Sequence, residues 1–132
     1  ISNILASKGF SVSMANEKNI QAIDYLGITS GNKVADKFSK SGLTAIQSEF
    51  VNAPLIQELP LALECKFISY DEESELLLGE IVNVSADESA LEENGKLSME
   101  KLAPVCYDPA GHGYYLLGKR VGNAFSDGKS LQ

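Results

Sequence analysis

A glycine- and hydroxyl-rich loop followed by a lysine is the first stretch of the sequence that could do chemistry. Ser30 and Gly31 lie in the loop 27–32, and Lys37 lies on the short helix predicted after it. Backbone N–H groups near the start of a helix attract anions and a lysine adds positive charge, so these residues could hold a phosphate. The spacing is not that of a P-loop, in which the lysine directly follows the second glycine. An ordinary polar loop with a surface lysine is the alternative interpretation.

A second candidate is the stretch 104–115, which contains three tyrosines and the only histidine of the chain. Tyr107, Tyr114 and Tyr115 flank a segment rich in glycine and proline, where an aromatic ring can stack on a planar ligand. Tyrosines in such loops are more often partly buried packing residues with a solvated hydroxyl. His112 lies between two glycines, and we interpret it as a surface loop residue because no nucleophile is matched to it.

No group of residues in the sequence supplies acid–base or nucleophilic catalysis by itself. There is no Ser/His/Asp order, no pair of catalytic carboxylates and no HExxH motif. Cys65 and Cys106 lack metal-ligand spacing, and a single histidine argues against a zinc site, so we predict no metal. Cys65 falls on the apolar side of a predicted strand and is interpreted as an inert buried thiol. Any chemistry would therefore be that of a bound cofactor.

The elements that must position these residues centre on a predicted antiparallel hairpin. Residues 76–84 form an apolar run that is interrupted by Gly79 and then alternates between apolar and polar residues, which indicates a strand. The glycine marks a bulge, a bend or a close approach. Residues 60–68 alternate in the same way. The alternation predicts a core face and a solvent face: Leu61, Leu63, Cys65 and Phe67 on the first, Glu64 and Lys66 on the second.

The other predicted elements are short. A helix ends near residue 8 with Gly9 as its C-cap, and a strand covers 10–14. Asn16 is the predicted N-cap of a helix over 17–25 that Gly27 ends, and a second helix covers 34–41 and ends at Gly42. The remaining predictions are one short strand within 43–50, a type I′ turn at Asn94-Gly95, a helical turn at 99–102 and a loop over 104–115.

Length and composition indicate a single globular domain covering 1–132. The chain has 44% hydrophobic and 22% charged residues and a net charge of −7. This negative charge argues against nucleic acid and anionic membrane surfaces as partners. No apolar run approaches the roughly 20 residues of a membrane helix, and no signal peptide is evident. We therefore expect a cytoplasmic protein.

A set of motifs, in order along the chain, resembles one family. These motifs are Phe10-Ser-Val-Ser, Asp24-Tyr-Leu-Gly27, Asp36-Lys37-Phe38, Pro60-Leu-Ala-Leu-Glu64-Cys65, Gly79-Glu80-Ile-Val, Lys101-Leu-Ala-Pro104 and Gly122-Asn-Ala-Phe125. The chain is similar to the flavoredoxins of the flavin reductase-like, FMN-binding split-barrel family. The resemblance implies a mainly β fold with short helices, a split β-barrel of Greek-key topology and a homodimer. It also implies non-covalent FMN near the dimer interface and electron transfer from NAD(P)H or a redox protein.

The resemblance also implies roles for individual residues. Lys37 matches a lysine that flavoredoxins use to hold FMN, at the phosphate end. Tyr107 stands where flavoredoxins place a phenylalanine beside the flavin. Ser74 stands where relatives often carry a flavin-contacting histidine, and Asn16 matches a position near the cofactor. Two loop residues are adjacent candidates: Ser30 and Gly31.

Relatives carry roughly 55 more residues before the point that matches Ile1, and these supply the first barrel strands. They include a stretch ending in a tryptophan that covers the flavin, whereas this sequence contains no tryptophan. We expect the sequence to be a fragment of a longer chain, the alternative being strands supplied by a partner. The replaced histidine and the missing strands also leave open a non-catalytic binding or scaffold module on the same fold.

Overall fold

The fold is organised around one long β-hairpin in a computed structural model that describes residues 1–132. Strands β4 (Leu61–Asp71) and β5 (Leu76–Ala86) pair in antiparallel fashion. Strand β1 (Gly9–Ser13) pairs antiparallel with the other edge of β4, so that the sheet order is β1-β4-β5. The predicted hairpin and the predicted first strand are both confirmed. Strand β4 is central, which explains why its first half is the most buried part of the sheet.

Gly79 lies where the ring of Phe10 crosses the hairpin. It pairs with Phe67, and the ladder shifts register directly beyond, between Phe67 and Ser69. A Cβ atom on Gly79 would lie 2.5 Å from Cζ of Phe10 and 3.1 Å from the carbonyl oxygen of Lys66. The glycine therefore makes room for an aromatic ring beside a bulge, as the mid-strand glycine predicted.

Four shorter strands form two further antiparallel pairs: β2 (Ala45–Gln47) with β3 (Pro54–Ile56), and β6 (Val105–Asp108) with β7 (Gly113–Leu116). Strand β2 confirms the short strand predicted within 43–50. The prediction of a loop over 104–115 is wrong, because a turn between Asp108 and Gly113 lets the flanking residues pair. The strands form three separate sheets and do not close a barrel within this chain.

The helices are short and lie between the strands: α1 (Ser2–Ser7), α2 (Ile20–Ile28), α3 (Lys37–Lys40) and α4 (Met99–Leu102). A 3₁₀ turn, Glu17–Asn19, precedes α2 and is capped by Asn16, whose side chain accepts from the N–H of Asn19. Two more 3₁₀ turns cover Glu88–Ala90 and Asp127–Leu131. No helix has both the length and the apolar character needed to cross a membrane.

Three predicted glycine roles need correction. Lys8, not Gly9, adopts the left-handed conformation that ends α1, with φ of 56°, and Gly9 already belongs to β1. Helix α2 continues through Gly27 to Ile28. The N–H of Gly95 donates to the carbonyl oxygen of Glu92, so the turn covers 92–95 and its central residues are Glu93 and Asn94. Neither has positive φ, whereas Gly95 has φ of 77°, so the prediction of a type I′ turn at Asn94-Gly95 is wrong. Gly42 does end α3, with φ of 75°.

The core lies at the base of the hairpin, away from its tip. Leu61, Ala90 and Leu102 form a buried cluster against which Met14 packs. Cys65 is also buried, which confirms the sequence interpretation, and burial raises the pKa of its thiol. Glu64, predicted on the solvent face, is instead only 1% exposed. Period-two alternation assigns it to the open face, but the chain after β2 covers that face here.

Candidate functional site

Two tyrosine rings form an open aromatic pair on the hairpin of β6 and β7. Tyr107 and Tyr114 are direct cross-strand partners, so their side chains share one face of the hairpin. Their ring centroids lie 5.6 Å apart with an interplanar angle of 48°. Tyr107 remains 55% exposed and Tyr114 41%. An exposed aromatic pair of this kind can receive a planar ring.

Each hydroxyl of the pair has a separate anchor. The Tyr107 hydroxyl is hydrogen-bonded to Nδ1 of His112 at 3.0 Å. The Tyr114 hydroxyl donates to Oδ1 of Asp24 at 2.8 Å, which ties the hairpin to α2. This hydrogen bond raises the pKa of Tyr114, because the neutral phenol donates it, and burial and the charge of Asp24 act in the same direction. The orientation of both rings is thus set by bonds outside the pair.

Lys37 belongs to α3, and its side chain reaches the C-terminal end of α2. Its ammonium Nζ donates to the carbonyl oxygens of Leu26 at 3.0 Å and Thr29 at 2.8 Å. A cation at this end of a helix satisfies free carbonyls and complements the helix dipole. Two of its three N–H donors are therefore occupied, and one donor and the positive charge remain.

The loop before Lys37 has unpaired donors. The carbonyl oxygen of Ser30 accepts from the N–H groups of Lys33 and Val34, whereas the N–H groups of Ser30 and Gly31 donate to nothing in the chain. Gly31 packs close to Lys37, since a Cβ on it would lie 3.7 Å from Cδ of the lysine. The structure thus brings together three of the predicted site residues, and α2 joins them to Tyr107 through Asp24 and Tyr114.

Asn16 is used by the fold. Asn16 is 8% exposed. Its Oδ1 accepts from the backbone N–H of Asn19 at 3.2 Å and from the side-chain Nδ2 of Asn19 at 2.9 Å. It also pairs with Pro104 in an isolated bridge, three residues before Tyr107. It lines a small polar cavity of about 230 Å³ together with Glu58, among other residues.

Ser74 is not brought together with Asn16. It lies at the hairpin tip, where its N–H and Oγ donate to Oδ1 of Asp71 at 2.7 and 2.6 Å. These hydrogen bonds lower the pKa of the Asp71 carboxyl. Asn16 follows β1 at the base of the hairpin, and the ten residue steps of β4 that separate base from tip span roughly 33 Å. One chain therefore does not gather all six predicted residues.

The sequence interpretation missed a buried polar network on the hairpin. Ser48 Oγ donates to Oε2 of Glu64, while Asn83 Nδ2 and Ser85 Oγ each donate to Oε1 at 2.6 Å. The signal available was the pair of polar residues two apart on the partner strand, since residues at this spacing share a face. His112 and Asp24 were also missed as anchors. Asp24 lies 90 positions from Tyr114, and the contact of His112 with Tyr107 depends on a hairpin that was interpreted as a loop.

Comparison with known proteins identifies the class. The family model for the flavin reductase like domain matches residues 1–112, and the chain belongs to this family. The family is one of flavin-binding proteins, which confirms the predicted flavoprotein in general terms. Its solved members share the split-barrel type of fold, which confirms the predicted fold class.

Among solved structures the chain is similar to two flavoredoxins. With that of Desulfovibrio vulgaris (Miyazaki F) it shares 37% identity and a TM-score of 0.90, covering 97% of this chain and 69% of that one. With the flavoredoxin of Methanosarcina acetivorans it shares 29% identity and a TM-score of 0.87, covering 98% and 68%. An uncharacterized protein of Aquifex aeolicus (strain VF5) is 31% identical over 107 residues, 80% of this chain. The chain spans only 54% of the length of that curated relative.

Proposed function

We propose that this chain carries most of an FMN site and belongs to a flavoredoxin-like protein that transfers electrons through non-covalent FMN. The observation that carries the proposal is the exposed ring of Tyr107, which pairs with Tyr114. Tyr114 binds Asp24 of α2, the helix whose C-terminal carbonyl groups accept from Lys37. Similarity to a flavoredoxin over 97% of the chain supports the choice of cofactor. The electron donor would be NAD(P)H or a redox protein.

The residues present fit the two ends of FMN. Its flavin ring is planar and largely apolar, and the open face of Tyr107 offers a stacking surface for it. Its phosphate is an anion, and the loop offers the charge of Lys37 with the unpaired N–H groups of Ser30 and Gly31. Asn16 would contribute to the pocket wall near the start of β6. The redox chemistry would be that of the cofactor, while the chain binds it, orients it and excludes water.

Ser74 is the site residue that needs a second chain. Ser74 lies far from the base of the hairpin. This distance favours a homodimer in which Ser74 of one copy contacts the FMN that the other copy mainly holds. The edge strand β5 supports this, because several of its apolar side chains are about half exposed: Leu76, Leu78, Ile81 and Val84. An unpaired edge with apolar residues is a surface that proteins normally cover.

An FMN titration followed by quenching of flavin fluorescence tests the proposal. It is run on the 132-residue chain and on a form preceded by the N-terminal strands expected from the resemblance. Saturable binding by either form supports the proposal, and binding by the extended form alone assigns part of the pocket to those strands. Absence of quenching in both forms would refute it.

A second candidate is a non-catalytic binding or scaffold module on the same fold. It is favoured by Ser74, because a serine cannot take over proton transfer from a histidine at neutral pH. NADH and NADPH are added to the FMN-loaded extended form, and flavin reduction is followed by absorbance at 450 nm, a wavelength where oxidised flavin absorbs. Bound FMN that neither nucleotide nor a chemically reduced redox protein can reduce would favour the module.

A further inference from the structure

The turn between β6 and β7 places a histidine in the left-handed backbone region. His112 has φ of 52°, in the region that glycine adopts freely and that asparagine, aspartate and histidine adopt more often than other residues. Glycines stand on both sides of it, yet the left-handed position itself carries an imidazole. Histidine is one of the side chains enriched in this region, and Lys8, Glu75, Ala103 and Phe125 also adopt it here, so a role for His112 must be argued from its contacts.

The surroundings of the turn fix this conformation. Asp108 accepts from the N–H of Ala110 through Oδ1 at 2.9 Å and from that of Gly111 through Oδ2 at 3.1 Å. A Cβ on Gly111 would lie 2.6 Å from that Oδ2, and one on Gly113 would lie 2.8 Å from Cε2 of Tyr115. The two glycines let the Asp108 carboxylate and the Tyr115 ring lie close to the backbone of the turn, and the hydrogen bonds to Asp108 shape the turn without help from the imidazole.

What the imidazole does contact is Tyr107. Its Nδ1 lies 3.0 Å from the Tyr107 hydroxyl, and His112 is itself exposed, so it adds no core packing. Tyr114 flanks one side of the Tyr107 ring, and the hydroxyl bond holds the end of the ring that extends from the sheet. A ring held at both places loses less rotational freedom when a planar ligand stacks on it.

We propose that His112 is a positioning residue that presents the Tyr107 ring to the flavin; this rests on the function proposed above. The Tyr107 hydroxyl donates to Nδ1, which places the imidazole proton on Nε2. The tyrosine at position 107 then has a purpose, since a phenylalanine ring has no hydroxyl that could be anchored in this way.

Substitution of His112 separates positioning from a structural role. His112→Gly suits the left-handed backbone, so the unfolding midpoint should stay level or rise, whereas FMN should bind about three- to tenfold more weakly, as for loss of one hydrogen bond. Tyr107→Phe keeps the ring and should weaken FMN by the same factor. The double variant should bind no more weakly than either single variant, because both remove one interaction. Tyr115→Phe is the matched control and should leave affinity unchanged.

A measurement on the flavin-free chain tests the contact itself. Ring-nitrogen NMR of ¹⁵N-histidine should show the Nε2–H tautomer in the wild type and a changed Nδ1 shift in Tyr107→Phe. Unchanged Nδ1 in that variant, FMN affinity of His112→Gly equal to that of Tyr115→Phe, or additive losses in the double variant would each overturn the inference. Wild-type protein that binds no FMN in the extended form overturns the proposed function and the inference with it.

Discussion

Removing the carboxylate of Glu64 should strongly destabilise the hairpin. The side chain is 1% exposed and accepts hydrogen bonds from three polar groups, those of Ser48, Asn83 and Ser85. Ser48 Oγ in turn accepts from the N–H groups of Phe50 and Val51 at 3.0 Å each. The carboxylate thus joins β4 to β5 and to the chain segment after β2.

The magnitude follows from which donors lose their acceptor. Glu64→Ala removes the acceptor of the buried Ser48 hydroxyl and of the part-buried Ser85 hydroxyl, and it leaves Asn83 Nδ2 with Ser85 Oγ as its one remaining partner. We expect it to cost about 3–5 kcal/mol, as for losing two or three hydrogen bonds to a charged group. Glu64→Gln keeps the shape and can still accept from Asn83 and Ser85. Its NH₂ group would face Ser48 Oγ, which already accepts two N–H groups, so we expect a loss of about 1–3 kcal/mol.

Urea unfolding with a matched surface variant measures this effect. Glu80 lies exposed on the same hairpin, in β5, and Glu80→Ala should change the free energy of unfolding by less than about 0.5 kcal/mol. Midpoints and slopes are compared at neutral pH, because a change of slope would report a changed denatured state. A Glu64→Ala variant as stable as Glu80→Ala would refute the reasoning.

The same carboxylate should make stability depend on pH. Burial raises the pKa of Glu64, but the hydrogen bonds from Ser48, Ser85 and Asn83 outweigh it and hold the pKa below its ordinary value. A pKa lower in the folded than in the unfolded chain gives stability that is present above the unfolded value of about 4.3 and is lost as pH falls through the folded value. The stability gap between wild type and Glu64→Gln should therefore narrow below about pH 4.3.

Three further predictions follow from single contacts. Gly79→Ala should cost about 1–3 kcal/mol of unfolding free energy, because its Cβ would overlap the Phe10 ring, whereas Gly118→Ala points into open space and should be neutral. Lys37→Ala should weaken FMN binding by about 1–3 kcal/mol in a fluorescence titration, with exposed Lys33→Ala as control, and equal affinities would remove Lys37 as a ligand. If the proposed homodimer forms, Ser74→Ala should leave the urea midpoint nearly unchanged yet weaken FMN binding; unchanged FMN affinity would exclude the hairpin tip from the site.

The sequence predicts the three strands of the main sheet because period-two alternation is a local property of each strand. The hairpin, β1 and the role of Gly79 all depend on residues within one or two neighbouring strands. The error at Glu64 has a different origin. Alternation assigns a residue to one face of a sheet, but it does not reveal that the segment around Ser48 folds over that face.

Parts of the candidate site were beyond the sequence for a related reason. Lys37 and Ser30 are close along the chain, and their proximity in the structure was predictable. The anchor between Asp24 and Tyr114 joins residues 90 positions apart, and no local pattern indicates it. The loop prediction over 104–115 failed because glycine and proline signal a turn without telling whether the flanking residues pair.

The position of Ser74 connects the incomplete site with the uncovered edge of the sheet. The hairpin that carries Ser74 at its tip also carries Leu78 and Ile81, 47% and 55% exposed, on a strand with one unpaired edge. A segment that paired with β5 along its whole length would reach the tip of the hairpin. If a second copy of the chain covers the edge of β5, the hairpin tip lies against that copy. Formation of the dimer then both buries the apolar side chains of β5 and places Ser74 near the FMN site of the second copy. Additional strands from the same chain would cover the edge without bringing Tyr107 and Tyr114 of a second copy near Ser74. The two arrangements therefore differ in whether a substitution at Ser74 changes the affinity for FMN.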